Sequence, residues 1–330
     1  MATRTIPADW YTTTESLAHD RATALRQGWQ YIGPATDVAE PGSFTTGDLA
    51  GLPIVITRDV DGTLRGFANV CRHRGALVAE GCGRRRTLQC RYHGWTYRLD
   101  GTLHRSPGMT LDEDVRLPAI AVATLGPLLF AAADPRTEPL ETALGPFLDL
   151  LDRVAGVELG RLVHRCRLEH TIAANWKVVV ENFIECYHCP LVHTETLPGY
   201  GDDDYRIGQF GSLHTQHLDD QRFCFAYLFP TTQLSAYGHE SAFVARAITP
   251  EGPDRTRVAL DYWFLDDCAD DAAGRYVEWF ERVIGEDKPL CESVQHGLAS
   301  GAIDRGYLNP DAEAGLAAFQ QLLLDAFDDA

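Results

Sequence analysis

The chain has 330 residues, 45% of them hydrophobic, and a formal net charge of −18 at pH 7. That length supports about two domains with cores of their own. The acidic balance repels phosphates and argues against nucleic-acid binding. No run is apolar and long enough to cross a bilayer, since 119–133 is interrupted by Thr124, Gly126 and Pro127.

Residues 1–41 read as an N-terminal helical segment, with Leu17, Ala24 and Trp29 among polar residues, expected to pack on the C-terminal domain. The first ten residues lack the apolar core of a signal peptide. The nine cysteines, an odd number with no secreted framework, fit a reducing compartment, so a cytoplasmic location is expected. From 42 to 139 the chain is short strands punctuated by Gly and Pro. Asp61-Gly62 between alternating stretches, and Asp100-Gly101 after Trp95 to Leu99, are hairpin signals. The remainder, 140–330, predicts a helix near 140–154, a strand over Leu162–Ile172 and alternating strands between 206 and 266. Two helices follow, one carrying Tyr276, Trp279, Phe280 and Val283, the other Leu316, Phe319, Leu322 and Leu323. The expected class is α+β, with an antiparallel sheet packed on helices.

Within the strand-rich region, Cys71-Arg-His73 and Cys90-Arg-Tyr-His93 form the pattern C-x-H-x16-C-x2-H. Two thiolates and two imidazoles suit a [2Fe–2S] cluster in which one iron keeps the cysteines and the other takes the histidines. Exchanging anionic thiolates for neutral imidazoles raises the reduction potential. A structural zinc site is the alternative. Zinc fingers favour C-x2–4-C beside H-x3–5-H, however, whereas here each pair is mixed and closes its own hairpin.

Further on, Asn175 can cap a helix starting at Trp176, whose stripe Trp176, Val179, Val180, Phe183 and Tyr187 faces the core. Glu185 and His188 then share another face. Cys189-Pro190 should end this helix, after which the chain presents His193. Two imidazoles at a helix end need one carboxylate to make a 2-His-1-carboxylate triad for Fe(II), with positions left open for O2 and substrate chemistry. The alternative places Cys186 and Cys189 with the histidines on zinc. Cys186 and His188, two apart on a helix, point to different sides, which weighs against it.

These residues resemble the Rieske non-haem iron oxygenases, specifically their catalytic (alpha) subunit. The resemblance is carried by Cys71-Arg-His73-Arg-Gly75 with Cys90-Arg-Tyr-His93-Gly-Trp95, and by Glu181-Asn-Phe-Ile-Glu185-Cys-Tyr187-His188 continued to His193. It runs from about Trp29 to the C-terminus. It implies a Rieske β-domain with its [2Fe–2S] cluster beside a helix-grip catalytic domain with mononuclear Fe(II). It also implies head-to-tail assembly, usually a homotrimer, that brings one subunit's cluster close to the neighbour's iron. Glu185, where many relatives have Asp, would be the acidic bridge between His93 and His188. Asn182 occupies the position of a polar residue near the iron. The family's carboxylate ligand falls in Gly285-Glu286-Asp287-Lys288-Pro289, with Asp287 the expected ligand and Glu286 the reserve. The competing role for Asp287 is to cap a helix beginning at Pro289.

The chain has no G-x-G-x-x-G fingerprint on a βαβ unit and no plant-type ferredoxin pattern. Electrons from NAD(P)H are therefore expected through a separate flavin- or ferredoxin-type reductase. Residues 185–190 and 291–297 look more like the branch acting on quaternary ammonium compounds than like the aromatic dioxygenases. The expectation is oxidative N-demethylation of a small betaine-type substrate with O2. Aromatic-ring mono- or dioxygenation is the alternative, and a non-catalytic Rieske electron carrier a further one. Aromatic faces would hold a cation; Tyr200, Tyr205, Phe225, Tyr227, Phe229, Tyr237 and Trp263 are available, although aromatic side chains are common in any strand.

Overall fold

Turn residues divide the first half of the chain into strands too short to be stable singly, and pairing makes up the deficit. The computed structural model describes residues 3–197, 205–220 and 222–328. Two compact units emerge, one spanning Arg26–Leu140 and the other combining Met1–Leu25 with Glu141–Ala330. The N-terminal segment 1–41 is thus divided: residues through Leu25 belong with the C-terminal unit and the rest with the strand-rich one. No helix among the described residues is long and apolar enough to cross a membrane.

In the strand-rich unit the strands are β1 (Gln30–Pro34), β2 (Ser43–Leu49), β3 (Leu52–Arg58), β4 (Leu64–Ala68), β5 (Cys82–Arg84), β6 (Thr87–Gln89), β7 (Thr96–Arg98), β8 (Leu103–Arg105), β9 (Ala119–Leu125) and β10 (Leu128–Ala132). They form a sheet in the order β1-β10-β9-β4-β3-β2-β5 and a three-stranded sheet β6-β7-β8. The two Asp-Gly pairs close the β3–β4 and β7–β8 hairpins, where their turn chemistry predicts. Phe44, Phe67, Leu88, Trp95 and Tyr97 pack with Cys71 and Cys90 in one buried cluster.

The second unit contains β11 (Leu162–Ile172), β12 (Arg206–Phe210), β13 (Leu213–Leu218), β14 (Phe223–Leu228), β15 (Thr232–Tyr237), β16 (Ala242–Gly252) and β17 (Arg255–Leu265). These make one antiparallel sheet in the order β11-β17-β16-β15-β14-β13-β12. Its helices include α1 (Thr14–Ala22), α2 (Trp176–Phe183), α3 (Cys189–Val192), α4 (Asp270–Ala299) and α5 (Ala314–Asp328). Strand alternation and register put Gln216, Phe225, Ser235, Val244 and Tyr262 in one row. His214, Tyr227, Gln233, Arg246 and Leu260 form a second row on the same face. That face meets the helices, with Tyr237 against Tyr276 and Phe280 of α4 and Tyr227 against Phe319 of α5. On the other face Phe243 packs on Phe147. Both sides being covered, β14 and β15 are buried at every position. The α+β class is borne out.

Three local expectations need correction. The N-terminal helix is only Thr14–Ala22, capped by Thr13 through its side chain to the Ser16 N–H at 3.1 Å. Helix α2 does begin at the Asn175 cap but stops at Phe183. Beyond it Glu185 accepts backbone N–H bonds from Tyr187 and His188, a local alternative to the helical ladder. Tyr187 consequently leaves the core stripe and is 58% exposed. Finally, α4 does not restart at Pro289 but runs through it. Proline removes its own N–H and crowds the carbonyl of Gly285, but the buried stripe Phe280, Val283, Ile284, Asp287 and Cys291 continues on both sides and holds the helix.

The start of α2 is fastened by charge. Lys177 is fully buried and its ammonium pairs with Asp20 of α1, which also accepts the Trp176 indole N–H at 2.9 Å. Burial pulls the Lys177 pKa down against the attraction of Asp20. Removing one partner of such a pair leaves an uncompensated buried charge, at a cost of about 3–5 kcal/mol. Asp20→Asn should therefore lower the unfolding free energy of this unit by that amount, read from the midpoint and slope of denaturant unfolding. Adding Lys177→Met should recover most of the loss; no recovery in the double variant would mean that the ion pair is not the cause.

Candidate metal centres

The first centre is built from two loops with the same backbone plan. Gly75 N–H donates to the Cys71 carbonyl and Gly94 N–H to the Cys90 carbonyl, each at 3.0 Å. Both glycines are left-handed, at φ +76° and +74°, which a side chain would strain. The loops are closed by Cys71 N–H to Ala76 at 2.8 Å and Cys90 N–H to Trp95 at 2.9 Å. The outcome is polar in the literal sense: Cys71 and Cys90 are buried, while His73 and His93 stand at the surface with ring centroids 4.6 Å apart. His73 also stacks on Trp95 at 5.1 Å. Tyr97 Oη lies 3.3 Å from Cys71 Sγ and accepts the Arg72 N–H at 3.0 Å. Burial, with the Cys71 thiol beside it, raises the pKa of Cys90. Two facing thiols inside and two imidazoles outside fit a mixed-ligand [2Fe–2S] cluster, and the tyrosine hydroxyl adds a polar contact at a cluster sulfur of the kind that tunes potential.

The second centre joins the loop after α2 to the middle of α4. His188 Nε2 and His193 Nε2 lie 3.3 and 3.1 Å from the same oxygen, Asp287 Oδ1. The other ring nitrogens point outward to further carboxylates, His188 Nδ1 to Glu185 at 2.5 Å and His193 Nδ1 to Glu286 at 2.7 Å. Thr196 Oγ1 donates to Glu286 at 2.6 Å. Glu286 thus stands outside His193, while Asp287 stands between the two imidazoles. Asn182 Nδ2 approaches Asp287 Oδ1 at 3.5 Å, and Cys291 Sγ donates to Asn182 at 3.4 Å. All the residues singled out here from the sequence, Asn182, Glu185, His188, His193 and Asp287, are brought together. Outer carboxylates that orient imidazoles so that Nε2 faces a shared point are the usual support of metal-ligating histidines. The donor set therefore fits a divalent ion in a 2-His-1-carboxylate site.

The protonation states carry the same imprint. Burial alone would depress His188, but Asp287 and Glu185 reverse this and lift it to about 9. His193 is raised as well, burial being outweighed by Asp287 and Glu286. Burial pushes Asp287 upward, yet the two histidines hold it below the usual carboxylate range.

The cysteines here depart from expectation. Cys186 and Cys189 are joined by a disulfide, whereas the sequence reading took the cysteines as reduced. The sulfur of Cys189 lies within 4.8 Å of the ligand atoms of His188 and His193, so a reduced Cys189 would offer a rival donor. Asp287 faces both imidazoles with no covalent commitment and is the better third donor. Sequence reasoning missed Glu286 as an outer partner, Thr196, Cys291 and Tyr97. From the sequence Glu286 is only the reserve ligand; the helical turn of α4 separates it from Asp287, since adjacent helical residues diverge by about 100°. Of the aromatic residues proposed for a cation, Trp263 falls on the sheet face away from α4 and α5, beside its cross-strand partner Phe243. Tyr200 lies outside the described residues.

Comparison with known proteins gives the family. Residues 28–119 match the Rieske [2Fe-2S] domain, and residues 159–218 and 212–329 match the ring hydroxylating alpha subunit (catalytic domain). The chain belongs to the Rieske non-haem iron oxygenases as a catalytic alpha subunit, and is an oxidoreductase. It is 31% identical to the chloroplastic choline monooxygenase of Arabidopsis thaliana, over 92% of this chain and 78% of that one. It is 29% identical to the carnitine monooxygenase oxygenase subunit of Escherichia coli K12, over 98% and 94%. The crystal structure of the quaternary ammonium Rieske monooxygenase CntA with L-carnitine superposes with a TM-score of 0.86 at 27% identity, covering 99% and 96% of the two chains. Naphthalene 1,2-dioxygenase from Rhodococcus sp., at 20% identity and a TM-score of 0.79, shares the fold.

A cation can enter the second centre only as protons leave it, because imidazole ligates in its neutral form. Loading metal-free protein with a divalent ion at pH 7 should release about one to two protons, read by calorimetry in buffers of different ionisation enthalpy. A release near zero would contradict the shared site. The raised pKa of His188 also stabilises the metal-free fold fully below the unfolded value of about 6.5. That contribution should disappear as pH rises through about 9.

Proposed function

We propose that the chain is the terminal oxygenase of a multicomponent system, receiving electrons from NAD(P)H through a separate reductase and monooxygenating a small quaternary ammonium compound. The observation that carries the oxygenase site is the convergence of His188 Nε2 and His193 Nε2 on Asp287 Oδ1, at 3.3 and 3.1 Å. The relatives acting on choline and carnitine support the substrate class. A ferrous ion held there would supply O2 activation, with the second electron coming from the cluster.

The protein's own part is orientation and charge. Glu185 holds the Nδ1 side of His188 and Glu286 that of His193, which leaves both Nε2 atoms for the metal. Asn182 steadies Asp287 from α2. Glu185 and His188 also line a mainly apolar opening of about 320 Å³ with Val178, Leu290, Val294 and Leu316. We place the partner's His93 at this opening in a head-to-tail trimer, so that Glu185 spans the two imidazoles. The solved quaternary ammonium monooxygenase is described in terms of inter-subunit electron transfer, which supports this arrangement. Oxygen insertion at a carbon bonded to the cationic nitrogen gives a product that collapses to an aldehyde and an amine. Attack on an N-methyl group releases formaldehyde.

Holoenzyme supplied with a surrogate reductase should release formaldehyde from a quaternary ammonium substrate; a phenol or diol from aromatic acids would instead establish the ring-hydroxylating alternative. His188→Ala should reduce iron from about three to two per chain and abolish substrate-dependent O2 uptake. Uptake persisting in that variant would remove the second centre from the reaction. Glu185→Gln should retain both metal sites yet slow turnover by about 10–100-fold, as loss of an outer partner does. Unchanged single-turnover transfer from cluster to iron would take Glu185 out of the path.

A further inference from the structure

The helix-facing side of the sheet carries a cation that the oxygenase chemistry does not use. Arg246 of β16 is 7% exposed, and no carboxylate lies within 4.0 Å of it among the described residues. Its guanidinium sits 4.9 Å from the ring of Phe183, the last residue of α2, and 4.9 Å from that of Phe280 on α4. The neighbouring row position is Gln233, 1% exposed, whose Oε1 accepts from Arg246 Nη1 at 2.9 Å. That bond turns the amide nitrogen of Gln233 away from the arginine. Gln233 Nε2 and Arg246 Nε are then both buried donors with no acceptor among the described residues. Glu281, the carboxylate that feels the Arg246 charge, is already engaged by Tyr262 Oη at 2.6 Å and His170 at 2.9 Å.

Two adjacent buried donors without a hydrogen-bond partner among the described residues, one of them on a charged fork, are costly in a folded core. A planar guanidinium is matched bidentately by a carboxylate. Position favours the substrate as its source. Phe280 and Asp287 are seven residues apart on α4, about 10 Å along the helix. An organic molecule with one carbon at the metal centre would therefore need a chain of several bonds to reach Arg246. A buried guanidinium also repels a bare quaternary cation and tolerates one whose far end is anionic, so it selects by rejection as well as attraction.

We propose that Arg246, assisted by Gln233, is an anion subsite that receives the carboxylate of a zwitterionic quaternary ammonium substrate, making the enzyme selective for betaine-type acids over uncarboxylated alcohols such as choline. This rests on the quaternary ammonium reading above and names the substrate class within it.

The test is the ratio of kcat/KM for L-carnitine to that for choline, measured on holoenzyme with a surrogate reductase. Wild type should favour the carboxylated compound. In Arg246→Met the ratio should fall at least about tenfold, the scale of one lost charge-assisted hydrogen bond, chiefly through KM for L-carnitine. Arg246→Lys should restore part of it. A merely structural arginine would lower both activities together and leave the ratio unmoved, which would overturn the proposal, as would a wild-type preference for choline. Iron content and the cluster spectrum show whether each variant is folded. Should Arg246→Met not fold, Gln233→Met carries the same prediction with a smaller fall. Turnover of neither compound by wild type would sink the quaternary ammonium reading and this subsite with it, whereas turnover with an unchanged ratio sinks the subsite alone.

Discussion

Charge balance at the end of α2 is the constraint on which the rest depends. Glu185, Glu286 and Asp287 surround His188 and His193, with Asp287 and His193 almost fully buried. Three carboxylates in such a place need positive charge, supplied either by protons on the imidazoles or by a divalent cation. The raised histidines and the depressed Asp287 are the proton version of that balance. A metal converts it into a site whose ligands are already aimed. The scaffold serves that aim: Lys177 pins α2 to α1 through Asp20, and Glu181 is held by Tyr11 at 2.6 Å and Gln320 at 2.8 Å. Burial lifts that glutamate to about 7 despite both hydrogen bonds.

The strand-rich unit solves a different problem, keeping a redox centre both protected and reachable. Its cysteines are part of the hydrophobic core, so the iron they would hold is shielded, while the histidine side is open. Electron transfer needs only one exposed edge, and the neutral imidazoles provide it without the charge of a thiolate. In this sense the division of ligands by type is also a division by depth.

The second unit's sheet has a dual character. Its helix-facing side is aromatic where Tyr237 meets Tyr276 and Phe280, and polar where Gln216, Gln233, Ser235 and Arg246 are buried. Buried polar side chains on a face that could have been apolar are expensive unless they are matched. Gln216 is matched, by Tyr205 and by the Ile184 carbonyl at 2.5 Å. Arg246 and Gln233 are matched only in part, through the bond between them.

Much of the candidate site was legible because its residues act through local spacing. The two mixed Cys/His pairs, the Asn175 cap, the hairpin turns and the pair His188 and His193 are short-range features, and their chemistry follows from residue type and separation. What eluded the sequence was set by distant packing. Pro289 signals a helix boundary, but a continuous buried stripe carries α4 through it. Glu286 and Asp287 are chemically near-equivalent neighbours, and only the rotation of α4 against the loop after α2 puts one between the imidazoles and the other behind His193. Trp263 and Tyr237 look alike as strand aromatics, and sheet register decides which faces α4. By itself the sequence determined the ligand types, their local order and the class of chemistry, because those depend on bonds a few residues apart. The tertiary structure alone decided which carboxylate shares the histidines and which arginine is only partly matched, because both depend on where segments distant in sequence come to rest.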